Sequence, residues 1–259
     1  MSIAKMQKAR EMAAQNQPFF EESLRLITFA GDCAYVDKHP YIDGRPVQST
    51  LMVVISGDRG LCGGYNAGVI RYATRYMETL GHPAKVIAIG SKAGDAFKRH
   101  MHYRPVNIYR GLTDSPIYGE TEEIAKSIQE FYDEGEVDRV MLCYTQFSSM
   151  LVQQPHIVQL LPLEAPPIAG LPASYEPGGA EMLSSLVSFY LASRLYGAIL
   201  ESALCEQSAR VLSMDGASRT AGEMITSLSL RYNRARQDLV TREITEIVAG
   251  ADASNTLRG

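Results

Sequence analysis

The pattern of hydrophobic positions divides the chain into three parts. Residues 1–34 are rich in Ala, Met, Lys, Gln and Glu but have a thin apolar face, which predicts a helix that needs a partner helix. Residues 50–165 alternate short apolar runs with amphipathic segments of helical period. Residues 179–250 contain no proline and place apolar residues at alternating steps of three and four. We therefore expect two terminal helical parts around a middle part of mixed structure.

The middle part predicts a sheet that helices cover. Its apolar runs are LMVVIS, KVIAIG, VDRVMLCYTQF and IVQLLPL, with helical segments between them. Strands that alternate with helices are typical of βαβ units, and nearly continuous apolar runs are typical of central parallel strands. Ser91 is the expected N-cap of one of these helices. The predicted fold class is α/β, with a small Rossmann-like body that contains a mostly parallel sheet.

The C-terminal part predicts one long helix. Its apolar stripe extends from Leu183 to Leu228, and a sustained stripe of this kind is typical of a coiled coil. An unbroken helix would be roughly 100 Å long, and Gly250 is its expected stop. Because such a helix needs another helix along its stripe, we expect residues 1–34 to pair with it as an antiparallel coiled coil.

Composition narrows the classes of function. The chain has 259 residues, and 46% of them are hydrophobic. Its formal net charge is −4, so the overall charge gives no indication of a nucleic-acid partner. The four cysteines match no common zinc pattern, which predicts reduced thiols. We find no run of about 18 apolar residues and therefore expect no membrane-spanning helix.

The stretch VVISGDRGLCGGYNAG, residues 53–68, places five glycines after a predicted strand. Turns of this kind often hold phosphates, but this one lacks the Lys-Ser or Lys-Thr of a P-loop and the G-x-G-x-x-G spacing of a dinucleotide site. The residues therefore favour a tight turn from strand to helix. One alternative stays open: a small α/β enzyme or nucleotide-binding protein could use the 57–68 turn, with Arg59 and backbone N–H groups holding an anion.

Other residues of catalytic type do not form a recognisable site. The five histidines are scattered, and Glu122 and Glu123 fall on a charged helix face. Ser91 does not lie in a G-x-S-x-G motif. We therefore expect no catalytic residue, no cofactor and no metal ligand, and a mechanical or interaction role. A stand-alone coiled-coil adaptor is a further alternative.

Two separated motifs resemble one known family. GDRGLCGGYN (57–66) and VTREITEIVAGADA (240–253) are similar to motifs of the gamma subunit of F-type ATP synthases, and SARVLSMDGASRTAGEMI (208–225) and LRYNRARQ (230–237) are similar to its rotor helix. The resemblance covers essentially the whole chain. It implies a central shaft, one copy per complex, that turns with the c ring and couples proton or sodium flow to ATP synthesis or hydrolysis on the beta subunits.

The resemblance also implies partners and a location. The coiled coil would lie inside a hexameric ring of alpha and beta subunits, and the α/β body would hold the epsilon subunit and stand on the c-subunit ring. Contact with the membrane would be through the complex alone. The expected location is the cytoplasmic face of the bacterial plasma membrane, with the matrix side of a mitochondrion as an alternative.

Contact residues follow from the resemblance, position by position. Arg236, Gln237 and Thr241 match polar contacts to the beta catch loop. Glu243 and Glu246 match acidic neighbours of these contacts, although both also fit solvated helix charges.

Four further residues match contact positions lower in the family's shaft. Arg210 matches a basic residue that faces an acidic lever of beta, and Cys62 with its glycine turn matches a surface close to the same levers. Tyr175 and Glu176 match the foot that meets epsilon and the c ring, although Tyr175 also fits a residue that only packs under the body.

The N-terminus departs from the family pattern. Family members begin with a longer basic helix, whereas this chain begins within the segment that matches the second half of that helix. The C-terminal helix would then lack a partner over its last turns. We therefore expect the free protein to fray from about residue 230 onward.

Overall fold

The computed structural model describes residues 4, 6–16, 18, 22, 40–163 and 179–256. The chain divides into two compact units, Met1–Leu212 and Ser213–Gly259. Tyr175 and Glu176, the predicted foot, lie outside the described residues.

Five strands form one sheet in the first unit. They are β1 (Thr50–Ile55), β2 (Ala84–Ile89), β3 (Pro105–Tyr109), β4 (Arg139–Phe147) and β5 (Gln153–Leu161). Their order is β3-β2-β1-β4-β5; the first four are parallel, and β5 is antiparallel to β4. This confirms the predicted α/β class with a mostly parallel sheet. The apolar pattern did not predict β3, a short edge strand that contains Pro105 and Asn107 and is only partly buried.

Helices cover both faces of this sheet. The helices of the described residues are α1 (residues 6–16), α2 (Pro40–Asp43), α3 (Tyr65–Thr79), α4 (Ser91–Lys98), α5 (Tyr118–Asp133) and α6 (Gly179–Thr256). Because side chains alternate along a strand, Leu51, Val53 and Ile55 pack towards α5 and α6, whereas Met52 and Val54 pack towards α3 and α4. The first part of α6 is therefore one of the layers of the α/β body.

Helix α1 lies beside α6 in the opposite direction. A Cβ placed on Gly197 would lie 3.5 Å from Nδ2 of Asn16, near the end of α1. Lys8, near its start, lines a cavity of about 320 Å³ together with Gln207, farther along α6. The start of α1 therefore lies beside the later residue of α6 and the end of α1 beside the earlier one, so the two helices are antiparallel, as predicted.

The N-terminus of α4 differs from the prediction. Gly90 rather than Ser91 holds the N-cap position, and its φ of +96° lies in the region that favours glycine. Ser91 is the first helical residue, and its backbone N–H and hydroxyl both donate to Oδ1 of Asp58, at 2.9 and 2.8 Å. The Ser91 prediction was wrong because the acceptor at this helix end is a carboxylate from elsewhere in the chain.

In the second unit, helix α6 is exposed. Every residue from 214 to 250 is exposed, including apolar residues such as Leu228 at 63% and Ile247 at 71%. The helix passes through Gly250 and ends at Thr256, with alanines on both sides of the glycine to sustain it. Among the described residues, no helix combines the length and the apolar character that crossing a bilayer requires.

Hydrogen exchange in the isolated chain should divide helix α6. Residues 195–208 are mostly buried and residues 214–250 are exposed, so we expect amide protection to be at least about a hundredfold greater in the former segment. Exchange monitored by mass spectrometry on overlapping peptides measures this difference. Equally slow exchange from 195 through 248 would contradict both this prediction and the expected fraying.

Gly90→Ala should destabilise the body strongly. The added Cβ would lie 2.0 Å from the carbonyl oxygen of Ser56 on a backbone with φ of +96°, so we expect a loss of about 3 kcal/mol in the free energy of unfolding. The control is Gly68→Ala in α3, where nothing lies within 4 Å, and a gain of about 0.5 kcal/mol is expected. Urea denaturation of both variants compares them, and equal effects would refute the prediction.

Candidate functional site at the glycine turn

The glycine turn, residues 57–64, connects β1 to α3 at the carboxyl end of the sheet. β1 lies between β2 and β4, and the chain runs from β1 to β2 on one side but returns from β3 to β4 on the other, so the strand order reverses between β1 and β4. In open α/β sheets, ligands bind in the crevice at such a switch point. The turn therefore occupies the position where a nucleotide would be expected if the open alternative were correct.

Helix α6 packs into this crevice. The Tyr65 hydroxyl donates to the carbonyl of Ser202 at 3.0 Å, and the Cys205 thiol donates to the carbonyl of Thr145 on β4 at 3.4 Å. Tyr65, Cys205 and Cys62 form a small buried cluster, and Cys62 is only 2% exposed. Side chains of the protein itself therefore occupy the space beside the turn.

Glu206 makes the closest approach between α6 and the turn. A Cβ placed on Gly57 would lie 2.6 Å from Cδ of Glu206, so a side chain at position 57 would have to displace the Glu206 carboxyl. The carboxylate accepts a hydrogen bond from Nη2 of Arg210 at 2.5 Å, and Nε and Nη2 of Arg210 donate to the carbonyl of Gly60 at 3.3 Å. Burial raises the pKa of the Glu206 carboxyl, and the Arg210 guanidinium partly offsets this effect.

Asp58 supplies a second carboxylate inside the turn. Its Oδ1 accepts from the N–H and hydroxyl of Ser91, and its Oδ2 accepts from the Thr113 hydroxyl at 2.9 Å. Burial alone would raise the pKa of Asp58, but the backbone N–H of Gly111 and the donors on Ser91 and Thr113 hold that pKa below 3.8. This negative charge lies at the N-terminus of α4, where a bound anion would otherwise be stabilised.

The Asn66 side chain holds the turn together with three hydrogen bonds. Its Oδ1 accepts from the N–H of Gly57 at 2.7 Å, and its Nδ2 donates to the carbonyl of Arg59 at 3.1 Å and to Sγ of Cys62 at 3.0 Å. Leu61 has φ of +61° and is 74% exposed. These hydrogen bonds therefore stabilise a turn in which the backbone of an exposed apolar residue has a left-handed conformation that such residues rarely adopt.

The predicted site residues fall in different parts of the chain. Cys62 and Arg210 come together at the turn, where Arg210 has a side chain that is 13% exposed. The remaining predicted contacts lie in the second unit and are all exposed, namely Arg236, Gln237, Thr241, Glu243 and Glu246.

Sequence reasoning missed Asp58 and Glu206. Asp58 is bound by Ser91 at the start of α4 and by Thr113 in the loop after β3, both distant in sequence, and no local pattern reveals these contacts. Glu206 did leave a signal, because it stands four residues before Arg210, a spacing at which the two side chains can pair on one helix, although the apolar stripe does not include it.

Comparisons of sequence identify the family. The chain matches the family model described as ATP synthase over residues 1–253. It is 40% identical over 260 residues to the ATP synthase gamma chain of Pelotomaculum thermopropionicum, covering 98% of this chain and 90% of that relative. It is 33% identical over 277 residues to the sodium ion specific gamma chain of Acetobacterium woodii, covering 98% and 91%. The chain therefore belongs to the ATP synthase gamma chain family.

Solved structures have the same fold. A chain of the Euglena gracilis mitochondrial ATP synthase, in a structure of OSCP, F1 and c-ring, matches with a TM-score of 0.64 and 18% identity over 100% of this chain and 95% of its own length. A chain of the Tetrahymena thermophila central stalk and c-ring matches with a TM-score of 0.59 and 19% identity over 84% and 99%. At these identities the likeness establishes the fold alone.

Asp58→Asn should destabilise the isolated chain in a pH-dependent way. The pKa of Asp58 is lower when the chain is folded than its ordinary value of 3.8, so the charged form stabilises the fold above that pH and the effect disappears as the pH falls through the lowered pKa. Near pH 7 we expect a loss of about 1.5 kcal/mol.

The control for this prediction is Asp95→Asn, which removes an exposed ion pair with Arg110. It should leave the free energy of unfolding almost unchanged. Urea denaturation of each variant from neutral to acid pH gives the comparison. A difference between wild type and Asp58→Asn that grows as the pH falls would show the assigned sign to be wrong.

Proposed function

We propose that the chain is the central-stalk gamma subunit of a proton- or sodium-translocating F-type ATP synthase. It rotates with the c ring and couples ion flow to ATP synthesis or hydrolysis at the beta subunits. The observation that supports this most directly is helix α6, on which every residue from 214 to 250 is exposed, apolar ones included. An apolar surface of this extent indicates that a partner surrounds the helix in the working complex.

The proposed partners are a hexameric ring of alpha and beta subunits around the helix, and the epsilon subunit and the c-subunit ring at the body. One copy would be present per complex. The protein would be attached to the cytoplasmic face of a bacterial plasma membrane, or to the matrix side of the mitochondrial inner membrane, through these partners. Relatives of both the sodium-specific and the unspecified kind match the chain, so the proposal covers both ions.

The proposed beta contacts are grouped on neighbouring faces of α6. Arg236 and Glu243 are two turns apart and share a face, and Glu246 lies beside them. Gln237 and Thr241 share the adjacent face, where the Thr241 hydroxyl donates to the Gln237 carbonyl at 2.8 Å. Within the described residues, these three charged side chains form no ion pair, so their charges are available to a partner. Contacts that differ between orientations of the helix would favour different beta conformations in turn.

Further contacts are proposed for the body. Arg210 would face an acidic lever of beta, and the turn that contains Cys62 would lie close to it. Since Cys62 itself is buried, the turn would make this contact through its exposed tip, Leu61. Tyr175 and Glu176 are proposed to meet epsilon and the c ring.

We further propose that this subunit has no catalytic site of its own. Glu206, paired with Arg210, occupies the crevice at the switch point of the sheet, and the Asp58 carboxylate beside it would repel a nucleotide phosphate. This arrangement disfavours the alternative of a nucleotide-binding protein that uses the 57–68 turn.

Substitution of the proposed catch-loop contacts should slow ATP hydrolysis. We expect Arg236→Ala and Gln237→Ala each to lower the rate of a complex reconstituted with alpha and beta subunits by about tenfold, because each removes a polar contact worth about 1.4 kcal/mol. The matched control is Arg231→Ala, an exposed arginine that lies about 140° from Arg236 and about 120° from Gln237 around the helix. It should change the rate less than twofold.

Two outcomes would contradict the proposal. One is a wild-type chain that does not assemble with alpha and beta subunits or support their ATP hydrolysis. The other is stoichiometric ATP binding to the isolated chain in equilibrium dialysis, which would favour the nucleotide-binding alternative.

A further inference from the structure

Glu206 and Arg210 form the most enclosed ion pair among the described residues. Their side chains are 3% and 13% exposed. Asp215 and Arg219 have the same spacing on the same helix, but their side chains are 70% and 74% exposed. An exposed pair contributes little, whereas an enclosed pair loses much if one partner is removed, because the other charge is then left uncompensated. The enclosed pair is therefore sensitive to geometry in a way that its exposed counterpart is not.

This pair fixes the glycine turn to helix α6 at two points. At one point the Glu206 carboxyl lies so close to Gly57 that a Cβ there would displace it. At the other, Nε and Nη2 of Arg210 both donate to the carbonyl of Gly60. Nη2 of the same guanidinium also donates to Oε1 of Glu206. The carboxylate thus determines which edge of the guanidinium faces the turn.

The opposite edge of the guanidinium is left available. The guanidinium of Arg210 is planar and has five N–H donors. Its Nη1 group has no hydrogen-bond partner among the described residues and is not fully buried by them. Leu61, which directly follows the held Gly60 carbonyl, is 74% exposed in a left-handed conformation. One outward cationic edge and one exposed apolar side chain are therefore set by the same contacts.

We propose that Glu206 is a positioning residue for the contact between the rotor and the beta subunits. It orients Arg210 so that Nε and Nη2 hold the turn on α6 while Nη1 is presented to a carboxylate of the partner. This inference rests on the proposed function, because it requires a partner with an acidic surface. Glu206 itself does not touch the partner, and its effect is exerted entirely through Arg210 and the turn.

The test uses complexes reconstituted with alpha and beta subunits. Glu206→Gln keeps the shape of the side chain and removes its charge, and we expect the kcat of ATP hydrolysis to fall about fivefold with KM unchanged, since the nucleotide sites lie on other subunits. Arg210→Ala should lower kcat at least as much. The double variant should be no slower than Arg210→Ala alone, because Glu206 acts through Arg210.

Controls separate positioning from general loss of structure. Asp215→Asn removes the charge from the matched exposed pair and should leave kcat unchanged. Arg210→Lys keeps a charge but cannot hold Gly60 with two donors while it pairs with Glu206, so we expect it to resemble Arg210→Ala. Rates are normalised to assembled complex, and the Lys variant provides the test if Glu206→Gln fails to fold.

Three results would overturn the inference while leaving the proposed function intact: multiplicative effects of the two single substitutions, a Glu206→Gln complex as active as Asp215→Asn, or an Arg210→Lys complex as active as wild type. A wild-type chain that does not support hydrolysis would instead count against the proposed function. The two failures are therefore distinguishable.

Discussion

The close approach of helix α6 to the glycine turn is the contact on which the rest of the arrangement depends. Glu206 lies where a side chain on Gly57 would have to be, and its charge is compensated by Arg210. Burying a carboxylate is unfavourable unless it is paired, and removing one partner of such a pair costs about 3–5 kcal/mol. The three residues therefore depend on one another. A side chain at Gly57 would displace the Glu206 carboxyl, and loss of Arg210 would leave that carboxylate buried without its cation.

Because of this contact, a fold that binds nucleotides in other proteins has its phosphate position occupied by the chain itself. The strand order, the glycine turn after β1 and a helix N-terminus beside that turn are features that bind phosphates in other α/β proteins. Here Asp58, the Gly57 carbonyl and the Ser56 hydroxyl accept the first hydrogen bonds that the α4 terminus offers, and Glu206 lies against Gly57. Carboxylates of the chain itself take the places of a ligand anion, and the crevice becomes a joint between the sheet and α6.

Sequence reasoning succeeded where the determinants are local. Alternating apolar runs predicted the parallel strands, and the stripe along α6 predicted a long helix whose members, such as Leu200 and Leu204, are buried in the first unit. It failed where the determinants are distant in sequence. Asp58 replaces Ser91 as the acceptor at the α4 terminus from 33 residues away, and Glu206 meets Gly57 across the fold. The edge strand β3 has too few buried positions to leave a clear pattern.

The two parts of helix α6 have the same apolar periodicity but different surroundings. Up to Gln207 the helix packs against the sheet, α1 and the glycine turn, whereas Leu228 and Ile247 are exposed. Periodicity therefore specifies that a partner exists but does not specify whether it belongs to the same chain. The buried part needs a fixed partner, which the Glu206–Arg210 pair helps to secure. An exposed part can meet partners that change, as a helix that successively contacts several copies of one subunit must do.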